Sequence, residues 1–320
     1  SKDGIGYQMN AGKLSALRIG TRSSKLALWQ AEYVAGLIGG LVGAPSVELV
    51  TIKTKGDLIL DAPLSKIEGK GFFTKEIERA LLDGSVDIAV HSLKDLETKL
   101  PEGLTLPAIL EREDPRDVLI APPNSNVESL PPNTVVGTSS LRRRALLAHW
   151  RADLEIRDLR GNVPTRIMKY LDGEYGALIL AAAGVKRLGL DEHIGDYLSP
   201  ERMCPAVSQG AVAVQIRDGD ASTAQWVAPL DHRPTRLATR AERALLRTLE
   251  GGCQVPVGAL ATTAAGQMTL SAVICSLDGS TVVRGSGSGP EEDCDEIGEA
   301  IAEDLLSRGG AGILQGIREQ

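Results

Sequence analysis

From residue 17 to about residue 215, short runs rich in Val, Ile and Leu alternate with segments whose apolar residues recur every three or four positions. That alternation is the mark of strands buried between helices. It predicts strands at Leu17–Gly20, Val47–Ile52, Asp87–Val90, Asp117–Ala121, Thr134–Gly137, Leu154–Arg157, Ala177–Leu180 and Ala211–Ile216. Helical spacing falls between them at Ser24–Ile38, Phe73–Leu82, Ser140–Trp150 and Asn162–Leu171. The class is therefore α/β, with parallel sheets covered by helices on both faces. Beyond residue 233 the order changes to a helix at Arg236–Leu249, short strands near 255–262, 268–276 and 281–284, and a last helix near 291–307. Strands grouped together in this way predict a separate α+β domain.

Two stretches rich in proline and polar residues, 111–126 and 198–210, look like crossings between units. A chain that leaves a first unit near residue 112 and returns near 205 makes a discontinuous domain 1 (14–112 and 205–230), a domain 2 (113–204) and a domain 3 (231–320). Two α/β units joined by two crossings form the plan of a hinged protein that encloses a ligand. An internal echo supports it: Gly20-Thr21-Arg22-Ser23-Ser24 and Gly137-Thr138-Ser139-Ser140-Leu141-Arg142-Arg143 each follow a strand and open a helix.

Composition narrows the picture. The 320 residues are 42% hydrophobic and 24% charged, as in an ordinary globular chain. The longest apolar run, Ala177–Val185, falls far short of the ~20 residues of a membrane-spanning helix. Secretion has no support, and the four cysteines form no C-x-x-C pair, so neither a disulfide framework nor a metal site is expected. The net charge of −7 argues against nucleic acid as a partner, yet residues 141–170 carry eight basic side chains against three acidic ones. Residues 291–304 carry eight acidic side chains and no basic one, the pattern of a solvated helix face.

Free N–H groups at a helix start attract anions, and Ser or Thr there both caps the helix and donates to a ligand. Two corresponding starts that add Arg22, Arg142 and Arg143, and a third, Arg160-Gly161-Asn162-Val163-Pro164-Thr165-Arg166, converge on a cleft for a polyanion. Lys66-Ile67-Glu68-Gly69-Lys70-Gly71-Phe72-Phe73 lacks the order of a P-loop and is either a lid or a solvated loop. His91-Ser92-Leu93-Lys94-Asp95 ends a buried strand, where open α/β sheets bind ligands. Asp95 there is either a partner of Lys94 or a cleft carboxylate. Cys253, in Gly251-Gly252-Cys253-Gln254, stands in a flexible loop suited to covalent chemistry, whereas Cys204, Cys275 and Cys294 lack that setting.

Taken in this order, Arg18-Ile19-Gly20-Thr21-Arg22 with Leu26-Ala27-Leu28, Gly69-Lys70-Gly71, Asp87 to Asp95, Gly137 to Arg143, Arg160-Gly161-Asn162 and Gly251-Gly252-Cys253 make the chain resemble the porphobilinogen deaminases over about residues 17–310. The resemblance implies two hinged, doubly wound domains similar to periplasmic binding proteins, plus a C-terminal α+β domain with a three-stranded antiparallel sheet. It implies a transferase that joins four porphobilinogen molecules head to tail into hydroxymethylbilane with release of ammonia, for haem or chlorophyll synthesis. It also implies a dipyrromethane cofactor held by a thioether to Cys253.

By motif position the resemblance makes Asp95 the catalytic carboxylate and sets Ser92, Lys94, Thr138, Ser139, Ser140, Arg142, Arg143 and Gly161 around the cofactor. Arg22, Ser24, Arg160, Asn162, Arg166, Arg187 and Gln209 fall on the substrate side, and Lys66, Lys70 and Phe73 on the loop that covers it. Leu93 stands where the family commonly has Met, Glu97 where Pro is usual, and Ser208 where Gly or Ala is frequent. A monomer in the cytoplasm or plastid stroma, with no nucleic acid or membrane partner, is the corresponding expectation. The rival from another class is a non-enzymatic hinged module that binds a polyanion, which needs neither Asp95 nor Cys253.

Overall fold

A computed structural model describes residues 15–59, 71–250 and 255–320. The first sheet, in the order β2-β1-β3-β10-β4, is built from β1 (Leu17–Thr21), β2 (Val47–Thr51), β3 (Ile88–Ser92), β4 (Leu104–Ile109) and β10 (Val212–Arg217). The second repeats the plan as β7-β6-β8-β5-β9, from β5 (Asp117–Ile120), β6 (Val135–Gly137), β7 (Glu155–Arg157), β8 (Ala177–Ala181) and β9 (Ile194–Tyr197). Each of the eight predicted strands is present. The expectation of wholly parallel sheets is corrected, because β10 runs antiparallel to β3 and β4, and β5 antiparallel to β8 and β9. The reason lies in the crossings. Asp117 opens β5 opposite Ala181 at the C-terminal end of β8, and Val212 opens β10 opposite Ser92 at the C-terminal end of β3. A strand that starts at that edge runs back against its neighbours.

Two strands escaped the hydrophobic pattern. β4 carries Pro107, which has no N–H for a ladder, and it occupies the sheet edge where that is tolerated. The edge strand β9 is only Ile-Gly-Asp-Tyr, too short and polar to stand out.

Helices cover both faces of each sheet. Ile88 and Val90 pack with Val34 and Ile38 of α1 (Lys25–Gly39), while Ala89 faces Ile77 and Leu81 of α3 (Lys75–Leu82), which follows the short α2 (Lys55–Leu58). In the second unit α4 (Leu141–Trp150) covers one face and α5 (Val163–Leu171) with α6 (Ala182–Arg187) the other. After α7 (Ala221–Val227), α8 (Arg233–Glu250) leads into the antiparallel sheet β11 (Val257–Ala264), β12 (Gln267–Cys275) and β13 (Val282–Pro290), followed by α9 (Cys294–Leu305) and α10 (Ala311–Arg318).

The strand β13 runs well past the predicted 281–284. Its Gly-Ser repeat has poor strand propensity, but it makes a groove. Side chains at Gly285, Gly287 and Gly289 would crowd Leu305, Ile301 and Ile297 of α9 at 3.1–3.3 Å. The acidic stretch is not only solvated, since Glu291 pairs with Arg233 and Asp295 with Arg240 of α8.

The third unit is tied to both crossings by one carboxylate. Glu242 of α8 is fully buried and accepts from Arg112 Nη1 (2.6 Å) and Nη2 (2.9 Å), from Ser208 N (2.8 Å) and from Ala261 N (2.9 Å). Arg112 Nε donates to the Gln209 carbonyl at 2.7 Å, and Glu113 N to the Gly210 carbonyl at 3.1 Å, so the crossings lie side by side. Gly210 has φ +88, and a Cβ there would meet the Glu113 carbonyl oxygen at 2.6 Å. Ser208 beside it takes φ +66, a value that glycine adopts without strain.

Glu242→Ala leaves the Arg112 guanidinium buried without its partner and should lower stability by about 3–5 kcal/mol. Urea unfolding of the variant beside the parent measures this, and a loss under 1 kcal/mol would contradict it.

Candidate active site

The C-terminal edges of the two sheets face one another, and most of the site residues proposed from the sequence come from those edges. On the first, β3 ends in Ser92 and a single 3-10 turn, Leu93–Asp95. Ser92 Oγ is fixed by Gln30 Nε2 of α1 at 3.1 Å, and the turn is held from the third unit by Arg243, whose Nη2 donates to the Glu97 carbonyl at 2.6 Å. Leu93 is buried, which leaves Lys94 and Asp95 directed outward. Among the described residues no side chain hydrogen-bonds the Asp95 carboxylate.

Lys94 is exposed to solvent, although protein atoms crowd around its ammonium. That enclosure, and then the positive charge of Arg143, bring its ammonium down to about 8, against the opposing pull of Asp95 and Asp117. One side chain thus feels both the turn that carries it and the opposite unit.

On the second edge Ser140 caps α4, its Oγ accepting from Arg143 N at 3.2 Å, while Thr138 Oγ1 accepts from Ser140 N at 3.2 Å. Ser139 is buried; its Oγ donates to the Leu159 carbonyl and accepts from Leu159 N, both at 2.9 Å. This pins the neighbouring bend, where Gly161 takes φ +104 and Asn162 caps α5 by accepting from Thr165 N at 3.1 Å. Arg166 Nε donates to the Gly161 carbonyl at 2.6 Å, and Arg160 is partly buried beside it.

Arg142 and Arg143 are more deeply placed than the sequence suggested. Both are largely buried, and both reach Asp117, the first residue of β5, which has no exposure at all. Arg142 Nη1 donates to Asp117 Oδ2 at 2.7 Å and to the Cys204 carbonyl at 2.7 Å; Arg143 Nη2 donates to Asp117 Oδ1 at 2.9 Å. Gln209, also fully buried, donates from Nε2 to Asp117 Oδ1 (2.9 Å) and to the Pro115 carbonyl (2.8 Å). Burial alone would raise the Asp117 pKa, but the two guanidiniums reverse the effect and hold it well below the usual carboxylate range.

On the first unit Arg22 is gripped by Asp57, Nε to Oδ1 at 3.1 Å, and lies over the Phe73 ring at 4.2 Å. Asp57 is itself set by a capping box with Thr54, and the bonds from Arg22 and Thr54 outweigh its burial and lower its pKa. Ser24 caps α1, accepting from Ala27 N at 3.3 Å. Arg187, ending α6, donates from Nη2 to the Gly210 carbonyl at 2.9 Å, while its Nε is buried with no acceptor among the described residues.

Cys253, Lys66 and Lys70 lie outside the described residues. The other cysteines are buried, and burial pushes the Cys204 thiol up to about 12 and that of Cys275 to about 11, so neither ionises readily. Much of the basic stretch is neutralised locally: Arg144 pairs with Asp158, Arg151 with Asp153 and Arg157 with Glu155. Sequence reasoning missed Asp117 and Glu242. The signal for Glu242 is a carboxylate on the apolar stripe of α8 between Ala238, Ala241, Leu245 and Leu249. Asp117 gave none, because its arginines lie 25 and 26 positions away. Among the described residues no cluster of three or more His, Cys, Asp or Glu suits a metal, and no helix is long and apolar enough to cross a membrane.

Residues 17–225 match the family described as porphobilinogen deaminase, dipyromethane cofactor binding domain, and residues 236–307 match its C-terminal domain. The chain belongs to the porphobilinogen deaminase family. Its activity is that of the family, in tetrapyrrole biosynthesis, with a dipyrromethane cofactor. The porphobilinogen deaminase of Syntrophomonas wolfei is 51% identical over 93% of this chain and 97% of its own. That of Syntrophotalea carbinolica is 50% identical over 94% and 95%. Family membership sets aside the reading as a non-enzymatic binding module. Among solved structures, a nutrient binding protein from Burkholderia cenocepacia bound to methionine aligns with TM-score 0.42 and 11% identity over 66% of this chain and 90% of that one. The methionine binding protein MetQ aligns with TM-score 0.40 and 15% identity over 67% and 89%.

A depressed Asp117 pKa has a consequence for acid stability. Its contribution is whole above the unfolded value of about 4 and erodes as pH falls towards the lower folded value. Asp117→Asn should therefore be less stable at neutral pH by about 3–5 kcal/mol, with a shallower loss of Tm between pH 5 and 2 than the parent. Thermal scans across that range check it, and parallel curves would contradict it.

Proposed function

We propose that the facing sheet edges form the cleft in which four porphobilinogen molecules are joined head to tail, with Asp95 as the catalytic carboxylate and Cys253 as the point of attachment of the dipyrromethane. The observation that carries the proposal is the setting of Asp95: a carboxylate with no side-chain partner among the described residues, on a braced turn beside Lys94 and opposite a wall of arginines. Each pyrrole carries acetate and propionate, so the growing chain is a polyanion. A chain of net charge −7 that gathers its cations at one edge fits such a ligand.

The residues fit the dipyrromethane by the same chemistry. Lys94, Ser92, Thr138, Ser140, Gly161 and the Arg142–Arg143 pair are the groups that would hold its carboxylates, whereas the buried Ser139 hydroxyl is committed to Leu159 and shapes the bend instead. Arg142 and Arg143 share their charge with Asp117, so they act as a rigid positive wall more than as mobile clamps. When bound, the group supplies a pyrrole carbon to which the first substrate is joined. Arg22, Ser24, Arg160, Asn162, Arg166, Arg187 and Gln209 stand on the substrate side. Gln209 is buried there and acts through Asp117. Phe73 lays its ring against the Arg22 guanidinium, and Lys66 and Lys70, which lie outside the described residues, are assigned to the same side by motif position.

Ammonia leaves porphobilinogen as positive charge develops on its pyrrole. The Asp95 carboxylate, accepting from the pyrrole N–H, stabilises that charge, and because it is already in place it costs no reorganisation at the moment of reaction. The bond from the methylene carbon to the amine breaks, that carbon bonds to the free carbon of the chain-end pyrrole, and the proton lost from the latter balances the one that the departing amine takes up as ammonia. The described groups converge within a single chain, in keeping with a monomer.

Two outcomes are expected. Purified protein should be heavier than its sequence by two pyrrole units carried on the peptide that holds Cys253, and Cys253→Ala should fold without the adduct; intact and peptide mass spectrometry decide this, and an active enzyme of unmodified mass would sink the attachment. Asp95→Asn, with its adduct confirmed, should release ammonia about 10²–10³-fold more slowly in a single turnover while binding substrate nearly as well. A rate within a few-fold of the parent would remove Asp95 from the chemistry.

A further inference from the structure

Trp29 lies a little over one turn into α1, the helix that Ser24 caps at the edge of the first sheet, and Arg187 closes α6, which follows directly on β8 of the second. The two meet across the seam between the α/β units. The Arg187 guanidinium carbon stands 5.6 Å from the centroid of a Trp29 ring, within reach of a cation–π contact. The helices pack against each other here: a Cβ at Gly184 would be in ordinary contact with Leu26 Cδ2, 3.4 Å away. The indole is held in turn by Tyr33, four residues further along the same face, with ring centroids 5.1 Å apart and planes 14° from parallel.

Arg187 is satisfied on one side only. Nη2 donates to the Gly210 carbonyl at 2.9 Å, Nε is buried with no acceptor among the described residues, and burial lowers its pKa against the pull of Glu113 and Tyr33. A buried N–H left unpaired costs free energy that a carboxylate arriving at the fork would recover. An aromatic face fixes the plane of a guanidinium without consuming any of its N–H groups. A carboxylate in the same place would occupy the fork, as Asp57 does for Arg22.

We infer that Trp29 is a positioning residue for substrate binding: its indole, contributed from the opposite unit, holds Arg187 flat so that the guanidinium fork meets a carboxylate of the incoming pyrrole. The inference rests on the reading of Arg187 as a substrate-side group and adds that the clamp is complete only while α1 and α6 are together.

The test is a double-mutant cycle on holoenzyme whose adduct mass has been verified, with kcat, KM for porphobilinogen and Tm measured for Trp29→Leu, Trp29→Phe, Arg187→Gln and the Trp29→Leu, Arg187→Gln pair. Trp29→Leu and Arg187→Gln should each raise KM roughly tenfold with kcat nearly unchanged. Trp29→Phe, which keeps an aromatic face, should restore most of the loss, and in the pair the Trp29 change should add nothing further. Trp29→Gln serves as a second variant if the leucine does not fold. An unchanged KM in Arg187→Gln would defeat the substrate-side reading of Arg187 and the inference with it. A raised KM in Arg187→Gln beside a normal one in Trp29→Leu, or effects that multiply in the pair, would overturn the role of Trp29 alone. A fall in Tm with no rescue by phenylalanine would reduce the contact to packing and overturn it too.

Discussion

Asp117 sits where the chain crosses from the first sheet into the second, with no solvent contact, and receives Arg142, Arg143 and Gln209 at 2.7–2.9 Å. A carboxylate so placed is tolerable only if all its partners are in position. Those partners come from the start of α4 and from the returning crossing, so the requirement aligns both crossings with the edge of the second sheet. Arg142 extends the network to the Cys204 carbonyl, and Arg112 joins the Gln209 carbonyl to Glu242 of the third unit. Three units are thus held by buried charge at the points where the chain passes between them. The apolar cores stay largely within their own sheets, but Val273 and Cys275 of β12 and Val282 of β13 pack with the core that α4 covers.

The same arrangement sorts the cations by their partners. Arg142 and Arg143 are neutralised in part by Asp117, and Arg22 by Asp57, so each can face a carboxylate-rich ligand without the repulsion that bare guanidiniums in a cleft would suffer. Among the described residues Lys94 has no ion-pair partner at bonding distance, and desolvation with the charge of Arg143 brings its ammonium down to about 8. The outer arginines of the basic stretch pair with local aspartates and glutamates. A stretch that looks uniformly basic along the chain therefore divides by depth into a structural wall, a working edge and a solvated surface.

The third unit adds a constraint at the site itself. Its α8 donates from Arg243 to the Leu96 and Glu97 carbonyls, immediately after Asp95, and accepts at Glu242 from both crossings. The turn that presents Asp95 is thus braced by a helix distant in sequence. The Glu97 carbonyl, held by Arg243 at 2.6 Å, is a backbone acceptor that any residue at this position would offer.

Much of this was determined by sequence alone. Strands buried on both faces must be apolar runs, and helices must show their apolar stripe, so eight strands and the main helices were legible, as were the helix starts at Ser24, Ser140 and Asn162, whose caps act within three residues. The motif that ends in Asp95 and the Gly-Gly-Cys sequence stood out as candidates, because each lies in consecutive residues. Strand direction was not, since antiparallel β5 and β10 follow from the edge at which the crossings arrive. Nor were the partners of Asp117, Glu242 and Trp29, because a buried charge or a stacked ring is defined by groups dozens or more than a hundred residues away, and only the folded chain brings them within bonding distance.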